Sequence, residues 1–122
     1  MNVAMAKDAP AALTMERFDL SPKGCRIAAR GQIDLYSAPA FKTALVNAID
    51  AGMTDVIVDL SEVEFLDSTA LGVLVGVSKR LRLLGGTVVI VSPDETIQRV
   101  FEISGLAKRF DIYESEAAAI GR

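Results

Sequence analysis

Histidine and tryptophan are absent from the 122 residues, and cysteine occurs once. Without histidine the chain has no imidazole base, no phosphohistidine relay, no His-containing zinc site and no Ser-His-Asp triad. The single cysteine, Cys25, builds neither a disulfide framework nor a thiolate metal cluster. As a nucleophile it lacks the usual histidine partner, and it reads as a small buried strand residue. A lone thiol suits a reducing compartment, so a cytoplasmic location is expected. Positive charge is also scarce: 13 Lys and Arg against 16 Asp and Glu leave a net charge of −3. Nucleic acid is therefore a poor direct partner, because phosphate binding needs clustered cations. The one compact basic cluster, Lys79-Arg80 with Arg82, reads as a solvated helix face. No apolar run reaches the ~20 residues of a membrane span, so no membrane insertion is expected. The nearest stretch, Thr69 to Val77, is cut off by Asp67 and Lys79. Residues 1–12 lack the unbroken apolar core of a signal peptide and read as a disordered leader. Glycine-rich phosphate loops are missing as well. Gly85-Gly86 ends a helix instead of opening one, so it is a turn and not a nucleotide cradle. No cofactor, no metal and no catalytic centre are expected, and the chain does not read as an enzyme.

What is present is a globular composition, 51% hydrophobic and 24% charged, in a chain long enough to fold without disulfides or metal. Leu13 to Leu20 reads as a strand, and Ser21-Pro22-Lys23-Gly24 as a turn. Cys25, Ile27, Ala29, Gly31 and Ile33 alternate with polar or small residues, the period of a strand with one buried face. The two strands should form an antiparallel hairpin. Ser37 is placed to cap a helix carrying Pro39 in its first turn, with Phe41, Leu45, Ala48 and Ile49 inward and Gly52 as its stop. Val56-Ile57-Val58 is short, continuous and β-branched, like a parallel strand covered on both faces. It is closed by Asp59-Leu60, and a loop is expected to follow. Asp67-Ser68-Thr69 opens a second helix running to about Leu84. Val88 to Val91 is another buried strand. Ser92-Pro93-Asp94-Glu95 reads as a capping box with proline at the first helical position, ahead of a third helix that Gly105 ends. A short strand near Phe110 to Tyr113 and a marginal helix over Glu114 to Ile120 complete the chain. A hairpin followed by alternating strands and helices predicts one α/β domain over residues 13–122. Its sheet is mixed and mostly parallel, with an N-terminal antiparallel hairpin and three to four helices.

The informative segment is Val58 to Gly72. A buried strand ends, and a serine and a threonine stand at the mouth of a helix, at the carboxyl end of a strand where open α/β sheets place their sites. Asp59 and Asp67 flank the loop between them, and nothing near them in sequence makes them a catalytic pair. Leu71, Val73, Leu74, Val75 and Val77 surround most of the first half of the helix, a pattern of burial or of cover by a partner. Gly72 and Gly76 allow another backbone close, and packing onto the sheet explains them equally well. By itself Ser68 reads as an N-cap.

The segment resembles the hallmark of the STAS domain family, in particular the stand-alone bacterial anti-sigma factor antagonists. There a buried strand ends in Asp-Leu-Ser, a short loop carries an aromatic, and Asp-Ser-Ser/Thr-Gly-Leu-Gly follows. This chain has Val56-Ile57-Val58-Asp59-Leu60-Ser61 and then Phe65-Leu66-Asp67-Ser68-Thr69-Ala70-Leu71-Gly72. Gly31-Gln32-Ile33-Asp34, Gly85-Gly86 and Gly105-Leu106 match further family features, so the resemblance spans about residues 13 to 115. It implies that Ser68 is the serine phosphorylated by a partner anti-sigma factor kinase, with Thr69 as the second candidate acceptor. It further implies that Asp34, Asp67, Ser68, Thr69, Leu71 and Gly72 bind that serine/threonine kinase. The unphosphorylated form would bind the anti-sigma factor and free a sigma factor, and a separate phosphatase would reset the switch. Ala70 departs from the family's glycine, which should stiffen the helix start or alter how closely a partner approaches. The alternative within the family is a non-switching STAS subunit of a transporter or lipid-trafficking complex.

Overall fold

Strand β1 (Thr14–Asp19) pairs antiparallel with β2 (Gly24–Ile33), and the turn between them closes with the Leu20 N–H on the Gly24 carbonyl at 2.8 Å. The computed structural model describes residues 12–122, so the expected leader lies outside the described residues except for Ala12. Three strand–helix–strand units follow. Helix α1 (Ala38–Asp50) leads to β3 (Asp55–Leu66), α2 (Ser68–Leu83) to β4 (Thr87–Val91), and α3 (Glu95–Ile103) to β5 (Ile112–Tyr113) through a 3-10 turn at Leu106–Lys108. A fourth helix, α4 (Glu116–Ile120), ends the chain. The five strands lie in the order β1-β2-β3-β4-β5, and every pair after the first is parallel. The mixed, mostly parallel sheet read from the pattern of the sequence is the one observed.

The main core lies between one face of this sheet and helices α1, α2 and α3. Ile27, Val58, Leu60 and Ile90 from the strands meet Phe41, Leu45, Leu74 and Phe101 from the helices, all with at most 1% of their surface exposed. Each side chain of this size contributes roughly 1.5–3 kcal/mol when fully buried. On the opposite face α4 lays Ala119 against Ile57, Val89 and Val91. This explains why β3 and β4 are apolar on successive residues: both of their faces are covered. Beside α4 the same face is polar. Arg26 pairs with Asp59 at 3.1 Å and with Glu116 at 3.2 Å, while Phe18 stacks on its guanidinium at 4.3 Å. Gly86 has its own reason to be glycine, because a Cβ there would lie 2.2 Å from the Thr54 carbonyl oxygen.

The expected loop after Leu60 is instead strand. β3 runs on to Leu66, and its register with β2 shifts twice, between Ala28 and Arg30 and between Gly31 and Gln32. Each bulge adds a residue to β3 and turns the next side chain back toward the core. Leu60, Val63 and Leu66 are therefore all buried at a spacing of three. A pattern with that spacing does not read as a strand, which has a period of two.

The helix starts also differ from expectation. Ser37 makes no capping bond: its hydroxyl turns back to the Gln32 carbonyl at 2.8 Å and accepts the Asp34 N–H at 2.9 Å. The Ser92 capping box is not formed. Asp94 is the N-cap of α3 and accepts the Thr96 N–H at 2.7 Å, while Ser92 is the fully buried residue after β4. A carboxylate outcompetes a hydroxyl here because it is a charged acceptor at the positive end of the helix.

Candidate functional site

Strands β2 and β3 are parallel neighbours that end level, with Ile33 opposite Leu66. Each is followed by an aspartate. The Asp67 N–H donates to the Ile33 carbonyl at 3.2 Å, so the Asp34 and Asp67 turns stand side by side at the carboxyl end of the sheet.

Asp67 is the N-cap of α2. Its extended backbone (φ −116, ψ −174) aims the carboxylate back over the first turn, where Oδ1 accepts the Thr69 N–H at 2.9 Å and the Ala70 N–H at 3.3 Å. The Leu71 N–H is taken by the Asp67 carbonyl at 3.2 Å. That last bond is the first of the helix itself, so the Asp67 carboxylate satisfies two of the four otherwise unpaired donors at this helix start. Ser68 is consequently not the cap. It occupies the first helical position, is exposed, and its hydroxyl forms no hydrogen bond among the described residues.

Asp34 organises the neighbouring turn. Its Oδ1 accepts the Tyr36 N–H at 2.9 Å and the Ser37 N–H at 3.0 Å. These bonds, the one from Ser37 foremost, hold its carboxyl below the ordinary value of 3.8. The closed turn leaves Leu35 and Tyr36 outside, 64% and 90% exposed. On the β3 side Phe65 is also exposed. Large apolar groups held outward by a rigid turn are the composition of an interface anchor. No single feature of the sequence marks Leu35 or Tyr36 as outward-facing; the signal is their place between Asp34 and the helix-opening Ser37-Ala38-Pro39.

The remaining sequence-predicted residues fall on different sides of α2. Thr69 is half-buried and Gly72 is exposed; together with Lys42, Val46, Val73 and Gly76 they line a groove of about 560 Å³ between α1 and α2. Leu71 points inward and is 5% exposed, so it supports the site from beneath and offers no side chain to a partner. Ala70 is fully buried, so the methyl group that replaces the family's glycine meets the core and not an approaching surface. Asp59 and Asp67 do not converge: Asp59 lies within β3, held by Arg26 and by the Ser61 hydroxyl at 2.5 Å. Among the described residues no three His, Cys, Asp or Glu side chains gather as a metal site, and no helix is long and apolar enough to cross a membrane.

A phosphate on Ser68 would meet two opposed effects. The start of α2 attracts a negative charge by ~0.3–1 kcal/mol, and the Asp67 carboxylate next to it repels by ~1 kcal/mol at solvent-like dielectric. Because Asp67 already holds the Thr69 and Ala70 donors, a phosphate on the exposed Ser68 would stand outward as an added charge.

Comparison with known proteins agrees with this geometry. The family profile described as STAS domain matches residues 20–119. The anti-sigma-B factor antagonist of Bacillus subtilis is 39% identical over 82 residues, 67% of this chain and 74% of that protein. The crystal structure of an anti-sigma factor antagonist from Mycobacterium paratuberculosis superposes with a TM-score of 0.82 at 27% identity, covering 93% of this chain and 95% of that one. The Bacillus cell fate determinant SpoIIAA, in its phosphorylated form, superposes with a TM-score of 0.69 at 22% identity over 89% of this chain and 98% of that one, a likeness of fold alone.

Proposed function

This chain belongs to the STAS domain family, and we propose that it is an anti-sigma factor antagonist switched by phosphorylation of Ser68. The observation that carries this reading is the state of Ser68. It is exposed at the first position of α2, its hydroxyl free of hydrogen bonds among the described residues, beside an outward apolar rim of Leu35, Tyr36 and Phe65. Thr69, half-buried in the groove wall, is the poorer acceptor, so Ser68 takes the phosphate.

The mechanism follows from where the charge sits. In the unphosphorylated form the rim and the start of α2 dock on an anti-sigma factor, which releases its sigma factor. That anti-sigma factor is a serine/threonine kinase and supplies the ATP; this chain contributes only the acceptor hydroxyl. A phosphoserine carries about −1.5 to −2 charges at pH 7. Burying such a group against a surface without matching cations costs several kcal/mol, on the order of a thousandfold in affinity. Asp34 and Asp67 keep their turns rigid, so the charge is not absorbed by a rearrangement of the fold. A separate phosphatase removes the phosphate and restores binding. The protein acts in the cytoplasm, where sigma factors are.

The test compares wild type, Ser68→Ala, Ser68→Asp and kinase-treated protein for affinity toward the serine/threonine-kinase anti-sigma factors of the same genome. Ala is expected to bind and to resist phosphorylation. Asp is expected to bind less well, and the phosphorylated protein least, in order of added charge. Equal affinity for all four would show that Ser68 is not a switch.

A further inference from the structure

Helix α2 keeps two glycines that no contact among the described residues requires. Gly72 and Gly76 are four residues apart on its exposed side, and a Cβ built on either has no atom within 4 Å. Packing on the sheet therefore does not explain them, although each weakens the helix relative to alanine. They stand along the α1–α2 groove, whose further walls are Val46, Val73 and Val77. The charged residues lining it are both cations, Lys42 and Arg80, in a chain whose net charge is −3. Arg80 is anchored by Asp50 at the far end, whereas Lys42 forms no ion pair among the described residues. The exposed stripe Ser68, Gly72, Gly76, Lys79 and Leu83 continues the proposed interface down the helix. It ends on a leucine that is 88% exposed, about 22 Å from Ser68 at 1.5 Å per residue.

We propose that the α1–α2 groove seats an amphipathic helix of the anti-sigma partner, apolar toward Gly72 and Gly76 and acidic toward Lys42 and Arg80. The inference rests on the functional reading above and adds a second contact to it, distinct from the rim around Ser68. Small residues let helix axes approach to the short end of the usual 8–10 Å. The cations choose an acidic flank. A second copy of this chain is disfavoured, because a symmetric contact would set the cationic patch of Lys42, Lys79 and Arg80 against the same cationic patch of the other copy.

The experiment titrates the purified anti-sigma factors of the same genome against wild type, Gly76→Leu, Lys42→Glu and Ser68→Asp, with a Lys108→Glu control outside the groove. Thermal melts are recorded for each. Gly76→Leu fills the groove from open space, so it should melt no lower than wild type while its affinity falls by on the order of tenfold or more. Lys42→Glu should weaken binding and flatten its dependence on salt, and Lys108→Glu should do neither. If Gly76→Leu melts lower than wild type, Lys42→Glu decides alone. If Ser68→Asp weakens binding while Gly76→Leu and Lys42→Glu match wild type, the groove proposal is overturned and the switch stands. If no anti-sigma factor binds wild type, both fall. Capture of wild type but not Gly76→Leu by phosphatidylglycerol vesicles would show that the groove holds an acyl chain, and would also overturn the proposal.

Discussion

The bond from the Asp67 N–H to the Ile33 carbonyl, 3.2 Å long, joins the end of β2 to the start of α2. It sets the Asp34 turn, with Leu35 and Tyr36 on its outer side, next to Ser68. Residues separated by about thirty positions in the chain thereby share one surface, and the serine acquires an apolar surround that its own helix does not supply.

Because Asp67 and not Ser68 caps α2, their substitutions should separate cleanly. Asp67→Ala removes the acceptor for two backbone donors and should destabilise the fold by ~1 kcal/mol, whereas Asp67→Asn should lose less. Ser68→Ala, at an exposed position whose hydroxyl has no hydrogen bond among the described residues, should change stability by no more than ~0.5 kcal/mol. Urea melts of the three variants decide the matter. A loss of a full kcal/mol in Ser68→Ala would return the capping role to the serine.

Ser92→Ala should not weaken the protein. The hydroxyl is fully buried with no hydrogen-bond partner among the described residues. The backbone of Ser92 is bound on both sides, its N–H to the Tyr113 carbonyl at 2.8 Å and its carbonyl to Gln98 Nε2 at 2.7 Å. A buried, unpaired polar group costs ~1–3 kcal/mol, so its removal should be neutral or stabilising by up to ~1 kcal/mol, with a raised melting temperature. Asp94→Ala, which deletes the true cap, should cost ~1 kcal/mol.

Asp34 gives the Ser68 end of the sheet an acid limit. Its carboxyl titrates below the ordinary 3.8 because the Ser37 and Tyr36 amides donate to the ionised form. Folded-state ionisation is thus favoured. The contribution to stability is present above the unfolded value and is lost as pH falls through the folded value. In an NMR titration the Tyr36 and Ser37 amide shifts should move together with a midpoint under 3.8, and Asp34→Asn should abolish that transition. A midpoint above 3.8 would contradict the hydrogen bonding described.

Cys25 offers a probe of the core. It is fully buried, and burial, the largest influence, pushes its thiol above the ordinary 9.0, with Arg17 opposing. Near neutral pH the thiol is protonated and shielded, so iodoacetamide should label it only through opening of the hairpin. The labelling rate should rise with urea in step with unfolding. Fast labelling of the native protein would place Cys25 at the surface.

Much of the fold was legible along the chain because its signals are local. The two-residue alternation of β2, the β-branched runs of β3 and β4 and the glycine stops of the helices depend on each residue's own backbone preferences and on one buried face. The length of β3 was not legible, since its bulges exist only as a register against β2 and replace the strand period by a spacing of three at Leu60, Val63 and Leu66.

The site divides in the same way. Local pattern alone places an Asp-Ser-Thr stretch at the start of α2 behind a buried strand, in a chain without histidine. Which of these side chains caps and which stands free, that Ala70 and Leu71 face the core, that Tyr36 faces outward, and that Gly72 and Gly76 border open space follow from the assembled fold alone. Those properties depend on neighbours brought in by strand pairing and helix packing. A carboxylate within reach of two amides, a sheet beneath a methyl group and a second helix across a groove are relations between segments far apart in the chain.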